Sequence, residues 1–518
     1  MRSCQSLLAP GDTARHNPPR RDIRSKGLQL SGRRCPRPPL GVSEMASIWR
    51  LALALVVAVT CGWGGPATAA DSAPADEQGF VSIFDGTLDG WEGKSEFWSV
   101  ADGAIVGQTT AENPTKGNTF LFWRQGELDD FELRLSYRIT GGNSGIQYRS
   151  RDFGDFVAGG YQADIDSGPT YSGINYEEKG RGILATRGQR VEIAADGTKT
   201  VGEPIGDTDA LQAKVKPGEW NDYRIVAEGP KLRHYINGQL MSEVTDHQDG
   251  KRAEKGILAL QLHAGPPMKV EFKDIRLKRL QLADGRKKVI FVAGRPSHAP
   301  GEHEFRAGSL LMAACLEDSC PQAVTAVYTG GWPTDPTAFD NADAIHFFAD
   351  GGGGHPVIQR NRLTQIAALA KRGVGIACLH YAVEVPPEKG GAEFLDMIGG
   401  FFETHWSVNP HWMLAETELA DGHPITRGVT PFEIQDEWYY HMRFRDGDDR
   451  VVPILTAIPP DATRERPDGP HSNNPTVRAG KGSREVLAWA TIALTADGAL
   501  AAREPTSIAT SAMRTSAS

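Results

Sequence analysis

Cysteine is scarce in this chain of 518 residues, which contains only six. Three of the six precede residue 70, and three remain in the part that is expected to fold: Cys315, Cys320 and Cys378. Three thiols do not make a disulfide framework, and two cysteines separated by four residues do not make a metal site. The fold must therefore be held by packing and hydrogen bonding.

Basic residues are outnumbered by acidic ones over most of the chain. The net charge is −9, and residues 1–44 alone hold nine basic residues against three acidic ones, so the remainder is strongly acidic. An acidic body repels phosphate backbones, which excludes a nucleic-acid partner. With 40% apolar and 23% charged residues, the composition is that of a globular protein of two to four domains, and excludes collagen-like, coiled-coil and wholly disordered chains.

No stable membrane anchor is expected, because the apolar stretch at residues 51–59 is too short to span a bilayer. Met45 and Arg50 precede this stretch, and Ala67-Thr-Ala69 follows it as a cleavage site. This order predicts a signal peptide over residues 45–69 and a periplasmic or secreted protein. Residues 1–44, rich in Arg and Pro, are expected to be a mis-assigned upstream start, or alternatively a disordered leader.

Two patterns divide the rest of the chain. Residues 80–280 contain many short alternating segments, such as 131–139, with a type I′ hairpin signal at Asn237-Gly238; they predict a β-sandwich or jelly roll. Residues 287–489 alternate continuous apolar strands with helices, which predicts a doubly wound α/β domain. The predicted elements are strands at 287–293, 342–348 and 373–379 and helices at 304–316 and 361–372. Residues 490–518 form a low-complexity tail, expected to be a truncated or frame-shifted end.

Polar residues share faces on three strands of the first domain. Because side chains alternate along a strand, each of the following sets is expected to project together: Gln147 with Arg149, Gln162 with Asp164 and Asp166, and Gln261 with His263. A solvated outer face is the simplest explanation for one strand. Amides, carboxylates, Arg and His recurring on three strands suit a cleft that binds hydroxyl groups in a fixed geometry.

Residues 80–280 resemble the 3-keto-disaccharide hydrolase domain family, which adopts a concanavalin-like β-sandwich. The resemblance is carried by motifs in the family's order: Phe84-Asp-Gly-Thr-Leu-Asp-Gly-Trp91, Asn143-Ser-Gly-Ile-Gln-Tyr-Arg149, Gly160-Tyr-Gln-Ala-Asp-Ile-Asp166 and Gly256-Ile-Leu-Ala-Leu-Gln-Leu-His263. It implies cleavage of 3-keto-glycosides by elimination and hydration. The candidate catalytic residues are then Asp164, Asp166, His263 and Arg149, and the candidate substrate-binding residues are Asn143, Gln147, Gln162 and Gln261.

Residues 287–489 are similar to the trehalose-utilisation (ThuA-like) family, which has the class I glutamine amidotransferase fold. The matching motifs are His303-Glu-Phe-Arg306, Asp350-Gly-Gly-Gly-Gly-His355, Gly373-Val-Gly-Ile-Ala-Cys-Leu-His380 and Asp436-Glu-Trp-Tyr439. A second candidate site, for a metal or a sugar, comprises His298, His303, His355, His380 and Glu437. No HExxH spacing supports a metal. Cys378 is interpreted as a buried inert thiol, because the strand is expected to continue through it.

The sequence thus favours an exported hydrolase of carbohydrate breakdown that takes a small sugar substrate, with a divalent metal as a possible cofactor. One alternative is a non-catalytic carbohydrate-binding protein whose second domain is degenerate. Another is that the second domain carries the activity and the sandwich targets it. The sequence gives no signal for the oligomeric state.

Overall fold

A computed structural model of the protein describes residues 77–415, 417–491 and 507–510. The predicted leader, the signal peptide and most of the tail lie outside these residues. Among the described helices, none is long and apolar enough to cross a membrane.

The first domain is a β-sandwich of two large sheets. Its elements are β1 (Val81–Ser82), β2 (Trp91–Glu92), β3 (Trp98–Ala101), β4 (Ala104–Gln108), β5 (Thr119–Leu128), β6 (Phe131–Thr140), β7 (Asn143–Asp152), β8 (Ala158–Asp166), β9 (Asn175–Glu178), β10 (Gly182–Ala185), β11 (Arg190–Ile193), β12 (Lys199–Val201), α1 (Thr208–Gln212), β13 (Asn221–Glu228), β14 (Lys231–Ile236), β15 (Gln239–Asp246), β16 (Gly256–Leu262) and β17 (Lys269–Arg279). One sheet runs β12-β11-β15-β14-β13-β6-β17-β4-β3 with β1 beside β17, and the other runs β10-β9-β8-β7-β16-β5-β2.

Alternation along the strands builds a single core between the two sheets. In β16 the side chains of Leu258, Leu260 and Leu262 enter this core, and those between them face the other side of the sheet. The predicted hairpin is confirmed: β14 and β15 are joined by Asn237 and Gly238, both at positive φ, as a type I′ turn requires. The sandwich predicted from the short alternating segments is therefore present.

The second domain alternates strands and helices and then ends in antiparallel strands. Its elements are β18 (Lys287–Ala293), α2 (Phe305–Ser319), β19 (Ala323–Tyr328), β20 (Ala344–Phe348), α3 (Arg362–Lys371), β21 (Gly375–Leu379), α4 (Ala392–Met397), β22 (Gly400–Phe401), β23 (His411–Leu414), β24 (Glu418–Leu419), β25 (Ile434–Glu437), β26 (Arg443–Phe444), β27 (Val451–Ala457), α5 (Pro475–Ala479), β28 (Glu485–Thr491) and β29 (Ser507–Thr510). The main sheet runs β19-β18-β20-β21-β29-β28-β27-β24.

Both faces of β18 are buried, as its continuous apolar sequence predicts. Phe291 packs in one cluster with Met312 of α2, whereas Ile290 packs in another with Ile366 of α3. The strands β19, β18, β20 and β21 are parallel. After β18 the chain adds β19 on one side of it and β20 on the other, so the strand order reverses at β18. Four parallel strands with apolar clusters on both faces are therefore present, and the doubly wound, amidotransferase-like fold as a whole stays a prediction.

The sheet takes up a strand from the predicted low-complexity tail. Residues Ser507–Thr510 pair in parallel with β21 and antiparallel with β28. The segment predicted as a low-complexity tail thus contributes regular structure at Ser507–Thr510 and at the last two residues of β28. A short segment is enough because both neighbouring strands offer unpaired backbone groups at this position.

Buried charges join the two domains. Arg279, at the end of β17, donates to Asp335 Oδ2 at 2.7 Å and to Asp129 Oδ1 at 3.2 Å. Lys288 of β18 contacts Asp129 Oδ2 at 2.5 Å and donates to Asn341 Oδ1 at 2.9 Å. Burial works to raise the pKa of Asp129, but Lys288 and Arg279 hold it at about 2. We call these five residues the interdomain network.

Candidate functional site

Three glutamines and an aspartate meet on the face of the seven-stranded sheet that points away from the core. Gln162 accepts from Gln147 Nε2 at 2.6 Å and from Gln261 Nε2 at 3.0 Å, and it donates to Asp164 Oδ1. All four side chains are at least 95% buried. We call them the amide cluster. They lie on β7, β8 and β16, which are neighbours in the sheet, so the shared faces predicted for Gln147, Gln162, Asp164 and Gln261 are confirmed.

A glycine makes room for this cluster. Gly145 lies opposite Asp164 on the neighbouring strand, and a Cβ built on it would be 2.5 Å from Cδ of Gln162. That distance is shorter than real contacts allow, so any larger residue would displace the Gln162 side chain. The glycine therefore permits amide side chains from three strands to converge.

Asp164 is held protonated at neutral pH. Burial raises its pKa to about 8; the hydrogen bond from Gln162 opposes this, while the charges of Glu178 and Asp166 add to it. Glu178 and Tyr176 project from β9 and are half-buried. A carboxyl group with a pKa near the working pH is suited to general acid–base chemistry. Gln261 Oε1 is buried without a hydrogen-bond partner among the described residues, which leaves an acceptor available for a hydroxyl group.

The other predicted residues of this face lie at its rim. Asp166 accepts backbone N–H groups of Gly168 and Tyr171 at 3.0 and 3.1 Å, so it shapes the turn after β8. Asn143 is paired with Asp166 in the register of β7 and β8 and is half-buried. His263 follows β16 directly and is also half-buried, with Nδ1 2.5 Å from Ala264 O.

Arg149 does not belong to this face, and the prediction that it shares one with Gln147 is wrong. A bulge in β7 interrupts the alternation there, and Arg149 has a φ of 44°. Its guanidinium donates to Asp130 Oδ1 at 2.6 Å and to the carbonyl oxygens of Asp129 and Gly229, each at 2.7 Å. An extra residue in one strand reverses which side the next side chain takes, and no sequence periodicity marked it.

A second cluster lies where strands of the α/β domain end. His380 is the first residue after β21, and its Nε2 is 3.0 Å from Nε2 of His303, which precedes α2. Glu437, the last residue of β25, places Oε2 3.4 Å from His380 Nε2 and 3.7 Å from His303 Nε2. Ligands in open α/β sheets bind outside the carboxyl ends of strands beside the point where the order reverses. Three of the five residues predicted for the second site therefore converge.

The carboxylate of Glu437 is fixed by two further side chains. Asn409 donates to Oε1 at 2.9 Å, and the hydroxyl of Tyr439 donates to Oε2 at 3.3 Å. Burial works to raise the pKa of Glu437, but the imidazoles of His303 and His380 bring it below its usual value. The group is thus held as an anion between two imidazoles.

His298, the fourth predicted residue at this place, belongs to the wall of the cavity. Its ring lies against that of His303, tilted by 39° and with centroids 3.8 Å apart. The hydroxyl of Ser297 links its Nδ1, at 2.8 Å, to Asp350 Oδ1, at 2.6 Å. The cavity has a volume of about 240 Å³ and is lined by His298, Glu302, His303, Tyr381, Asn409, His411, Glu437, Tyr439 and His471.

His355, the fifth predicted residue, lies elsewhere. It is fully buried, with Nε2 3.0 Å from the carbonyl oxygen of Ala382, while Nδ1 accepts from the amide of Val357. Burial lowers its pKa to about 4. Its inclusion in the second site is wrong, because the glycine run before it turns the chain inward. Cys378 lies inside β21, fully surrounded, and burial raises the pKa of its thiol, as predicted for an inert cysteine.

Several residues of the two sites escaped sequence reasoning. Tyr176 and Glu178 sit on a strand of four residues, too short for alternation to be recognised. His471 comes from an irregular segment; its Nε2 is 2.9 Å from Glu384 Oε1, and this hydrogen bond is the main cause that raises its pKa. Glu384 itself is almost completely buried, and burial of a charged residue cannot be recognised from the sequence.

Two family models match this chain. Residues 79–278 match the 3-keto-alpha-glucoside-1,2-lyase-like domain, and residues 310–482 match the trehalose utilisation family. Both resemblances identified in the sequence are thereby confirmed, and the first supports a carbohydrate-active protein. No curated protein matches the chain.

Several solved structures are similar to part of the chain. A candidate glycosyl hydrolase from Parabacteroides distasonis is 18% identical with a TM-score of 0.27, covering 39% of this chain and 99% of its own. A carbohydrate-binding module from Bacillus subtilis is 14% identical with a TM-score of 0.25, covering 36% and 95%. These TM-scores are too low to support a conclusion about function.

Proposed function

We propose that this protein is an exported enzyme of carbohydrate breakdown that cleaves 3-keto-glycosides on the sandwich, with Asp164 as the general base. The observation that carries the proposal is the carboxyl group of Asp164, buried among three amides with its pKa raised to about 8. The match of residues 79–278 to the 3-keto-alpha-glucoside-1,2-lyase-like domain supports the substrate class.

The reaction needs a base and hydroxyl-binding groups rather than a pair of glycosidase carboxylates. A carbonyl at C3 acidifies the proton on C2, which the base removes. The electron pair forms the C1–C2 double bond, and the substituent leaves C1 with its oxygen and takes up a proton. Water then adds its hydroxyl to C1 and its proton to C2, which completes the hydrolysis.

The residues on this face divide these tasks. Asp164 removes the C2 proton in its ionised form, and the free acceptor atom Gln261 Oε1 takes a hydrogen bond from a substrate hydroxyl. His263, half-buried at the rim, is assigned as the donor to the enolate oxygen, a role that the buried position of Arg149 excludes for that residue.

The test is release of 3-keto-glucose from 3-keto-trehalose by the purified chain. Asp164→Asn should lower kcat/KM by about 100- to 10,000-fold, the usual contribution of a general base. Glu192→Gln, an exposed change on β11, should retain the wild-type rate. Because the base must be ionised, the rate should rise as pH increases towards about 8.

Two outcomes would overturn the proposal. If Asp164→Asn keeps the wild-type rate, the base is another group. If the folded chain binds the keto sugar, measured by calorimetry, and releases nothing, it is a carbohydrate-binding protein. Export is tested separately: the protein recovered from the periplasm or the medium should begin at Ala70, after the predicted cleavage site.

A further inference from the structure

We propose that His303, His380 and Glu437 bind one divalent metal ion of the zinc type and leave an open coordination position towards the cavity beside them. This centre is separate from the amide cluster of the sandwich, and it does not depend on the function proposed there.

The spacing of the three ligand atoms fits one face of a tetrahedron. Zinc held by nitrogen and oxygen at about 2.05 Å places its ligand atoms roughly 3.3 Å apart. The distances among His303 Nε2, His380 Nε2 and Glu437 Oε2 are 3.0, 3.4 and 3.7 Å. Two imidazoles and one carboxylate, with a water or substrate oxygen in the fourth position, are a ligand set that catalytic zinc sites use.

A hydrogen bond between the two imidazoles does not by itself explain why Glu437 Oε2 lies beside both of them. One shared proton can join the two Nε2 atoms, but Glu437 Oε2 lies beyond the usual 2.7–3.2 Å from both of them. Asn409 and Tyr439 instead hold the carboxylate where it stands. In metal sites, a carboxylate that binds the metal is typically held in place by hydrogen bonds from the residues around it.

Backbone strain at two of the ligands supports the same conclusion. His303 and His380 have φ values of 42° and 55°, a region that residues other than glycine rarely adopt. Such conformations are energetically unfavourable and persist mainly at functional sites. Here both of them bring an imidazole to the same point.

Asp350, the acidic residue next to this cluster, is less suitable as a ligand. Asp350 and His298 also lie near His303, but they are already joined through the hydroxyl of Ser297 and are about one-third exposed. The cavity beyond the triad is lined by polar and aromatic side chains. It offers the open position to a small, oxygen-rich ligand rather than to an apolar one.

The experiment uses the full chain, stripped of metal with a chelator and titrated with zinc against a chromogenic competitor. We expect one tight site per chain, with Glu437→Gln and His303→Gln each weakening it at least 100-fold. The exposed His405→Gln should bind like the wild type. Both ligand variants change groups that are not fully buried, and circular dichroism confirms that they are folded. Absence of an equimolar site, or equal affinity in the wild type and both variants, would overturn the proposal.

Cobalt tests the geometry and the open position. Co²⁺ in the wild-type chain should give the intense visible bands of a four-coordinate ion, and a hydroxamate should shift them. Weak six-coordinate bands would overturn the zinc-type geometry, and bands that hydroxamate leaves unchanged would overturn the open position. Because these readouts involve no sugar turnover, they remain valid whether or not the sandwich proves to be an enzyme.

Discussion

Replacing Asp164 by asparagine should stabilise the protein at alkaline pH while it removes the proposed base. In the unfolded chain the carboxyl group loses its proton near its ordinary pKa of 3.8, whereas in the folded chain it keeps the proton up to about pH 8. Folding therefore binds a proton between these two values, and the free energy of unfolding falls as the pH rises through this window. Asparagine is a neutral isostere that has no such dependence.

The size of the effect follows from the pKa difference. About four pKa units at 1.36 kcal/mol each give a destabilisation on the order of 5 kcal/mol above pH 8, and almost none near pH 4. Asp164→Asn should thus be more stable than the wild type by several kcal/mol at pH 9, with a difference that shrinks steadily towards pH 5. Asparagine can still accept the hydrogen bond from Gln162, so the amide cluster stays intact.

The assay is urea unfolding of the full chain at pH 5, 7 and 9, read by pulse proteolysis so that intact sandwich is scored directly. Other titrating groups affect both proteins equally, so the difference between them isolates position 164. Glu192→Gln, exposed on β11, should follow the wild type at every pH. A wild type and an Asp164→Asn variant that respond identically to pH would refute the raised pKa, and with it the reason for assigning Asp164 as the base.

Three further perturbations test other parts of the structure. Gly145→Ala should lower turnover of the keto sugar by about 100-fold or more, because a Cβ would lie 2.5 Å from Gln162 Cδ; Gly117→Ala, where a Cβ meets nothing within 4 Å, is the kinetic control. Cys378 is enclosed and its pKa is raised, so mass spectrometry should find it alkylated only after unfolding, and labelling of the native chain would contradict its burial. Arg279→Leu leaves the buried carboxylate of Asp335 without its cationic partner and leaves Asp129 with Lys288 alone. It should reduce the free energy of unfolding by about 3–5 kcal/mol in urea; a loss below about 1 kcal/mol would show that the network adds little.

The periodicity of apolar and polar residues predicted those features that depend on regular strands. The apolar run predicts the bounds of β18 correctly, because a sheet covered on both faces leaves a continuous apolar pattern. The bounds predicted for β20, α3 and β21 are within two residues of those observed and the end of α2 within three, whereas β19 was not predicted. The amide cluster was likewise found from side chains two residues apart. These inferences needed only the alternation of a strand.

What escaped prediction depends on local departures from regularity or on contacts between distant segments. The bulge at Arg149 changed the side of a residue whose motif was otherwise well recognised. His355 follows four glycines, and its direction is set by a turn that carries no periodic signal. Asn409 and His471 reach the second cavity from irregular chain, where only the completed packing shows which residues meet.

The interdomain network has a consequence for how ligand binding to one domain affects the stability of the other. Separating the domains would break the buried ion pairs of Arg279 with Asp335 and of Lys288 with Asp129, so we expect the two halves to share one unfolding equilibrium. A ligand at a hundred times its Kd adds about 2.7 kcal/mol to the stability of whatever unfolds with its site. Keto sugar on the sandwich should therefore protect the amides of β18 and β21 from hydrogen exchange, although it contacts neither strand.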